Sequence, residues 1–585
     1  MRMNRLVVLL LLTLTGLVSV AQNKSAPSKQ EDRPSYDQQW WDALPQHVKD
    51  SINKVFYEDY KKGNRSADSA SEAYNNIIVE EALQNIPGTT VLQLNEYPKR
   101  RLTDEITKLK NLEEFSCARC RALDLDNLFK QLSQLPKLKK VSLAGGAYKT
   151  LPNSIKDLHS LKELNLKDDN FTALPDSFVL LRNLQVLNLE HNAYLYDDNV
   201  YDRIKNLNVE ELNLGNSGLL ELNDKIGLVK SLKQIDISGN DIKTLPPSFN
   251  QLTQLEKLSF SRNLNVDFAQ FISILAQLPS ITIVEAQQCD IENVPLDISK
   301  LTNLKVLNLK GNRLTSLPLT FGSLTKLEHL DLSYFEMGAR MNKITDLGPA
   351  FGQLTKLKYL NLAGNMLEAL PAGFSGLTEL EELNLSLNKL TGFPEAITQL
   401  RRLKLLDLSL NDGGAIPNSI GNLTALETLH LDGNFFSKPD KKIKNLPATL
   451  CQLANLKILT LKDNVIEQLP DCIGSLSKLE KLDLRDNLLA ALPASFTQLK
   501  NLKWLDLKAN DFSGLPDDFA NLTSLKDFNF AMNIKMSYDA EKVKFEKMKQ
   551  LEVLDLSYNN ITKEQVTPLR DALPNCKVII RDYRK

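Results

Sequence analysis

The chain has 585 residues, of which 42% are hydrophobic and 24% are charged, and its formal net charge at pH 7 is −1. This composition predicts a folded, soluble protein, and it excludes a strongly basic nucleic-acid-binding protein and a polybasic membrane-binding surface. The six cysteines are too few and too scattered for a disulfide-dense scaffold, and we expect no cofactor.

Residues 1–21 are predicted to be a signal peptide. A short positive start, MRMNR, precedes the apolar stretch LVVLLLLTLTGLVSV, and Ser19 and Ala21 supply the small residues of a cleavage site. The apolar stretch is shorter than the roughly 20 residues that span a membrane, so cleavage before Gln22 is favoured over an uncleaved anchor. We therefore expect a protein exported to the periplasm or beyond the cell, with no membrane span after cleavage.

A linker and a helical cap are predicted to follow the signal peptide. Residues 22–35, QNKSAPSKQEDRPS, are polar and are expected to be flexible. Within residues 36–88, apolar side chains such as Trp41, Leu44 and Val48 recur near helical spacing. We expect this segment to cover the first coil of the repeats that follow, and a separate docking module is the alternative.

From residue 89 onward one irregular spacing of leucines recurs. Residues 354–377, LTKLKYLNLAGNMLEALPAGFSGL, fit the 23-residue frame L-x-x-L-x-L-x-x-N-x-L-x-x-L-P-x-x-I/F-x-x-L-x-x. A degenerate copy lies around residues 91–94. About nineteen further copies start at Leu112, Leu138, Leu161, Leu184, Val209, Leu232, Leu255, Ile281, Leu304, Leu327, Leu357, Leu380, Leu403, Leu426, Leu456, Leu479, Leu502, Leu525 and Leu551.

This frame resembles the leucine-rich repeat family, whose core signature is L-x-x-L-x-L-x-x-N/C-x-L. The resemblance covers residues 89–572 and implies an α/β solenoid. Its curved parallel sheet would form the concave face, and short 3₁₀ or irregular turns would form the convex face. The chain lacks the cysteine clusters that usually close the ends of animal extracellular members, which favours a bacterial exported protein. Residues 573–585 are predicted to form a C-terminal cap strand and a charged tail.

The frame assigns a place to each side chain of a repeat. The leucines at the fourth and sixth positions are expected to point inward. The asparagine at the ninth position is expected to be buried and to bond backbone groups where the strand bends. Asparagine and aspartate recur at the fifth position along the whole sheet, and we interpret that row as a solvated face.

The cysteines and histidines suggest no reactive site. The C-x-x-C formed by Cys117 and Cys120 falls on frame positions, and no second C-x-x-C completes a zinc site, so a structural role is predicted. Cys451 and Cys472 lie on neighbouring outer turns at offset positions, and the sequence leaves their pairing open. The five histidines fall in distant segments, and no catalytic set is expected.

Two repeats carry additions of seven residues. One addition is residues 335–341, and the other lies within residues 435–445. Both are predicted to be loops, which are either functional or tolerated drift.

The third strand position gives the strongest functional signal, because it faces the concave surface. Its residues are charged in the early repeats and become partly apolar from Ile283 onward. Exposed apolar and aromatic side chains with a polar surround mark protein interaction sites, although such residues also suit strands. Together with the eighth position, the predicted partner-binding residues are Val306, His329, Tyr334, Tyr359, Leu387, Leu405, Leu410, Ile458 and Trp504.

We therefore expect a non-enzymatic protein that binds a protein or peptide on its concave face, a role that the family resemblance implies. The alternatives are a secreted effector and a surface array that binds host protein or carbohydrate. Nucleic acid is not an expected partner, and the oligomeric state stays open.

Overall fold

The computed structural model describes residues 67–193, 195, 197–334, 341–433 and 442–581. The predicted signal peptide, the predicted linker and residues 36–66 of the predicted cap lie outside the described residues, as do residues 335–340 and 434–441 of the two additions. The chain divides into two compact units: Met1–Asn240 with Pro246–Leu255, and Asp241–Leu245 with Glu256–Lys585.

The described part of the first unit contains three α-helices and seven strands. The helices are α1 (Ala67–Gln84), α2 (Leu125–Leu132) and α3 (Asp197–Ile204). The strands pair in parallel and in chain order. They are β1 (Val91–Asn95), β2 (Glu114–Ala118), β3 (Lys140–Ser142), β4 (Glu163–Asn165), β5 (Val186–Asn188), β6 (Glu211–Asn213) and β7 (Gln234–Asp236).

The described part of the second unit contains three α-helices and fourteen strands, which also pair in parallel and in chain order. The helices are α4 (Phe268–Leu275), α5 (Tyr538–Glu546) and α6 (Lys563–Ala572). The strands are β8 (Lys257–Ser259), β9 (Ile283–Glu285), β10 (Val306–Asn308), β11 (His329–Asp331), β12 (Tyr359–Asn361), β13 (Glu382–Asn384), β14 (Leu405–Asp407), β15 (Thr428–His430), β16 (Ile458–Thr460), β17 (Lys481–Asp483), β18 (Trp504–Asp506), β19 (Asp527–Asn529), β20 (Val553–Asp555) and β21 (Lys577–Ile579).

The leucine frame sets the register of these strands. Each strand from β2 to β20 begins at the third position of a predicted repeat. In the repeat that starts at Leu357, for example, the fourth-position Leu360 and the sixth-position Leu362 are fully buried. The return segments are mostly 3₁₀ helices of three to five residues, such as Ala372–Gly376. The predicted architecture of parallel strands and short 3₁₀ turns is confirmed.

The ninth-position asparagine joins successive repeats. The Nδ2 of Asn388 donates to the carbonyl of Leu385 in its own repeat, at 3.0 Å, and to that of Leu362 in the preceding repeat, at 2.9 Å. Its Oδ1 accepts from the N–H of Leu367 at 3.1 Å. The amide therefore satisfies backbone groups of two coils, which extends the predicted local role.

The same arrangement resumes after the first addition. Asn342 is fully buried, and its Nδ2 donates to the carbonyls of Leu309 and Leu332 at 3.0 and 2.9 Å. Asn342 thus takes the ninth-position role of its repeat. The seven added residues consequently lie between the eighth and ninth positions of the frame.

Side chains from α1 and α6 bond the first and last described strands. The Nδ2 of Asn75 in α1 donates to the carbonyl of Asn95 at 2.7 Å, and the Oδ1 of Asn75 accepts from the N–H of Asn95 at 3.0 Å. The Nη2 of Arg570 in α6 donates to the carbonyl of Val578 at 3.3 Å. These bonds occupy backbone groups that an edge strand would otherwise expose.

Two disulfides are present. Cys117 and Cys120 are joined and fully buried. Cys451 and Cys472, whose pairing the sequence left open, are joined across two successive return segments with a Cα–Cα distance of 5.9 Å. Their offset within the repeat is accommodated because stacked return segments bring these two Cα atoms within the range that a disulfide spans.

Candidate functional site

The third-position side chains of the second unit form one column across its strands. The register pairs Val306 with His329, His329 with Tyr359 and Tyr359 with Glu382, and it continues in the same way to Trp504 and beyond. Neighbouring strands lie about 4.8 Å apart, so successive side chains of this third-position column are in contact range.

The nine predicted partner-binding residues all lie at least partly exposed on this face or on its rim. Val306, His329 and Tyr359 occupy three consecutive strands, so the structure brings them together. Beyond Tyr359, the apolar members are Leu405, Ile458 and Trp504, and a polar residue precedes each of them in the column: Glu382, Thr428 and Lys481. The predicted set is therefore one continuous group followed by isolated side chains.

His329 and Tyr359 form a parallel ring stack. Their centroids are 4.0 Å apart, and their planes differ by 2°. The Nδ2 of Asn361 donates to the Oη of Tyr359 at 3.3 Å, which fixes the phenol further. Burial lowers the pKa of His329 and raises the pKa of Tyr359. Burial therefore favours the neutral form of both rings, and the stack holds them in place on the face.

The eighth position forms the rim of the face, and its backbone is left-handed. Leu387 and Leu410 have φ values of 55° and 59°. Tyr334 lies against Gly364, where an added Cβ would sit 2.3 Å from the ring carbon Cδ1. Sequence reasoning missed this conformation, although its signal was present. Glycine, which adopts positive φ at little cost, recurs at this position in the frame, as at Gly311 and Gly364.

The fifth-position side chains cap the ends of the strands. The Oδ1 atoms of Asp331 and Asp407 accept from the N–H groups of Ser333 and Ser409, in both cases at 2.9 Å. Such bonds are Asx turns, which shape the bend after the strand. Asp331, Asp483 and Asp506 are also buried, with 8%, 4% and 2% exposure. The interpretation of this row as a solvated face is wrong for these three carboxylates.

The region around Trp504 is charged rather than apolar. The Nζ of Lys481 lies 4.7 Å from the centroid of the Trp504 ring and covers one of its faces. The Nη2 of Arg485 is 3.2 Å from the Oδ2 of Asp483. Burial nevertheless raises the pKa of Asp483 to about 6, and burial also raises the pKa of Asp506.

The histidines of the described residues stay apart. The Nδ1 of His191 is 2.8 Å from the Oδ1 of Asp168, and the Nδ1 of His430 is 2.9 Å from the Oγ1 of Thr460. Within the described residues, no group of three or more His, Cys, Asp or Glu side chains could hold a metal ion. Across the same residues, the helices are all too short or too polar to cross a membrane.

Family comparison identifies repeats along the chain. The family described as a leucine-rich repeat region matches residues 348–447 and 439–580. A family of two leucine-rich repeats matches residues 302–337, and a single leucine-rich repeat matches residues 231–252.

Relatives and solved structures share these repeats at low identity. The chain is 31% identical over 136 residues to a probable serine/threonine-protein kinase of Dictyostelium discoideum, a match that covers 22% of this chain and 4% of that relative. A leucine-rich repeat protein of Leptospira interrogans is 25% identical, with 86% of this chain and 98% of that chain covered and a TM-score of 0.43. The TLR13–ssRNA13 complex is 24% identical, with 84% and 71% covered and a TM-score of 0.61, and this likeness concerns the fold alone.

Proposed function

Because the chain is a leucine-rich repeat protein, we propose that it is a non-catalytic binding protein that holds a protein or peptide on the strand face of its second unit. The observation that carries this proposal is the stack of His329 and Tyr359 beside Val306. A partly exposed aromatic pair with fixed rings loses little conformational entropy when a partner covers it. Aromatic anchors of this kind supply much of the energy of protein interfaces.

The proposal includes export. The amino-terminal sequence has the charged start, apolar stretch and small residues of a signal peptide. Two disulfides suit an oxidising compartment, since they are rare where thiols are kept reduced. The missing cysteine clusters at the ends of the repeats favour a bacterial source.

Other functions have less support. A carbohydrate-binding array would present aromatic platforms along the whole face, whereas the aromatic residues of the third-position column are His329, Tyr359 and Trp504. The match to the kinase covers 4% of that protein, so we do not propose kinase activity for this chain. The single-stranded RNA in the TLR13 complex belongs to that protein. The near-neutral net charge of this chain gives no comparable reason to expect RNA here.

Affinity capture tests the proposal. Residues 22–585 would be immobilised and exposed to envelope and secreted protein from the native organism, alongside a His329→Ala/Tyr359→Ala variant. Val186→Ala, at the third frame position of the repeat that contains β5, is the control in the first unit. We expect the wild type and the control to retain the same partner and the double variant to retain at least tenfold less of it.

Thermal melting separates loss of binding from loss of folding, because both rings are partly exposed and their truncation should leave the melting temperature nearly unchanged. Equal capture by all three proteins would contradict the proposal that the partner binds the face around His329 and Tyr359. If only the wild type captured the partner and the Val186→Ala control did not, the partner would not bind the proposed face of the second unit alone, and the proposal would be contradicted.

A further inference from the structure

Four neighbouring strands of the second unit present a surface without a cation. Residues 329–334, 359–364, 382–387 and 405–410 cover the third to eighth positions of the repeats that contain β11 to β14. They contain no lysine or arginine, and they contain three carboxylates: Asp331, Glu382 and Asp407. We call the outward side of these four segments the acidic trough.

Small side chains form the floor of the acidic trough. Its seventh positions are occupied by Ser333, Ala363, Ser386 and Ser409, all with exposures below 10%. The His329–Tyr359 stack borders the floor at the third position, and Tyr334, Leu387 and Leu410 border it at the eighth. Because the floor residues are short, the main chain of a ligand can come close to the sheet between two apolar borders.

The carboxylates of the acidic trough are not neutralised within the described part of the chain. None of the three forms an ion pair there, whereas Glu285 pairs with Lys257 at 3.2 Å on the same sheet. Asp331 is the clearest case, because it is 8% exposed and, among the described residues, its bond is the one that Oδ1 accepts from the N–H of Ser333 at 2.9 Å. A buried carboxylate without a cation is costly, and a cation supplied by a ligand would offset that cost.

The repeats beyond the acidic trough limit its ligand. At the seventh position, the repeats of β16, β17 and β18 carry Lys462, Arg485 and Lys508 in place of small residues. The floor of small residues ends at Asp432 in the repeat of β15, and the long cationic side chains beyond it repel further positive charge. A cationic ligand is therefore favoured over β11 to β14 and disfavoured over β16 to β18.

From this contrast, and on the premise of the proposed function, we infer that the acidic trough receives an extended segment of the partner that carries lysine or arginine. The four strands span about 14 Å, which an extended chain covers in about four or five residues. Asp331 and Asp407 lie on the outer two of the four strands. Two basic side chains about four residues apart can therefore be neutralised by the two ends of the acidic trough. Tyr334 and Tyr359 offer aromatic faces and edges to the aliphatic stems.

A positional-scanning library of octapeptides with acetylated and amidated ends tests this inference, because the blocked ends leave side chains as the only charges. Binding would be compared for wild type, Glu382→Lys and Glu211→Lys. Glu211 is the matched control, since it is a third-position glutamate on β6 of the first unit. We expect wild type and Glu211→Lys to prefer lysine or arginine at two positions by about tenfold, and Glu382→Lys to lose about tenfold of that preference.

Salt and glycan measurements complete the test. The affinity of the best peptide should fall several-fold between about 50 mM and 500 mM NaCl, since the interaction is between partly exposed charges. Selection of acidic or purely apolar peptides, or a preference that Glu382→Lys leaves intact, would overturn the inference and leave the proposed function standing. Binding of a glycan array in place of any octapeptide, combined with failed protein capture, would contradict both.

Discussion

The Oδ1 of Asp169 accepts a hydrogen bond from the N–H of Tyr148 at 3.1 Å, in the place where later repeats use an asparagine. Asp169 is 4% exposed, and its Oδ2 has no hydrogen-bond partner among the described residues. Burial raises the pKa of Asp169 to about 7, and the backbone hydrogen bonds oppose this shift only in part. A protonated carboxyl group can donate a hydrogen bond as an asparagine amide does, whereas an ionised one cannot.

The Asp169→Asn variant should therefore be more stable than wild type, most clearly at pH 8. The folded-state pKa of Asp169 lies above the ordinary value of an aspartate, so the folded state holds the proton more tightly than the unfolded state does. The contribution of Asp169 to the free energy of unfolding is accordingly lost as pH rises from about 4 to about 7, by on the order of 4 kcal/mol. Urea unfolding at pH 5, 6, 7 and 8 measures this difference. Asp224→Asn, at an exposed aspartate of the same unit, is the control and should keep the wild-type pH dependence. An unchanged pH profile in Asp169→Asn would show that the residue does not titrate in this range.

Replacing a ninth-position asparagine should strongly destabilise the folded protein. Asn388→Ala deletes the amide that bonds Leu362, Leu367 and Leu385, and it leaves buried backbone groups unsatisfied. We expect the free energy of unfolding to fall by about 2–4 kcal/mol, measured by urea denaturation. Asn455→Ala is the control, because Asn455 is only partly buried and its two bonds lie at the surface: its Nδ2 donates to the carbonyl of Thr424 at 2.8 Å, and its Oδ1 accepts from the Nζ of Lys478 at 2.7 Å. A loss equal to that of the control would mean that water or rearranged backbone replaces the amide.

The disulfide between Cys451 and Cys472 should stabilise the two repeats that it links. It closes a segment with a sequence separation of 21 residues, so its removal should cost about 3 kcal/mol through the added freedom of the unfolded chain. Cys451→Ala/Cys472→Ala should melt at a lower temperature than wild type under oxidising conditions. Cys289→Ser tests a thiol that forms no disulfide and should leave the effect of a reductant on melting unchanged. Identical melting of wild type and the double variant would contradict the stabilising role.

The two predicted aromatic anchors should differ in importance. Tyr359 belongs to the ring stack, whereas Lys481 covers one face of Trp504. For a captured partner, Tyr359→Ala should weaken binding by at least tenfold and Trp504→Ala by less than about threefold. Isothermal titration calorimetry gives both values. A larger loss of binding in Trp504→Ala than in Tyr359→Ala would indicate that the partner mainly contacts the repeats around β18.

The sequence predicted the strands of the repeats well, because leucine burial alone fixes which residues face inward. A shift of one residue would expose Leu360 and Leu362 to water, so the frame leaves a single register. The left-handed backbone at Leu387 and Leu410 was not predicted, because it is imposed by the bend between the strand and the return segment and not by the side chains themselves. Spacing alone likewise left open the pairing of Cys451 and Cys472, which depends on how return segments stack.

The residues of the candidate site were predicted individually as outward-facing, but the way they group across neighbouring strands was not predicted. The column from Val306 to Trp504 was found because the frame identifies outward positions. Its interruption by Glu382 and Lys481, and the lack of an ion pair for Asp331 within the described residues, depend on neighbours across strands that are 23 or more residues apart in sequence. Reading the seventh position of all repeats together would have revealed the short residues from Ser333 to Ser409.

Asn342 makes the hydrogen bonds of a ninth-position asparagine, although the seven residues of the first addition separate it from the eighth position of its repeat. On one side, the N–H of Tyr334 donates to the carbonyl of Ala363 at 2.9 Å, and on the other the N–H of Lys343 donates to that of Leu314 at 2.7 Å. Both attachment points thus keep regular backbone bonding. The bend between the eighth and ninth positions of this repeat is therefore the place where we expect an inserted epitope to be tolerated, because the hydrogen bonds between repeats continue on either side of it.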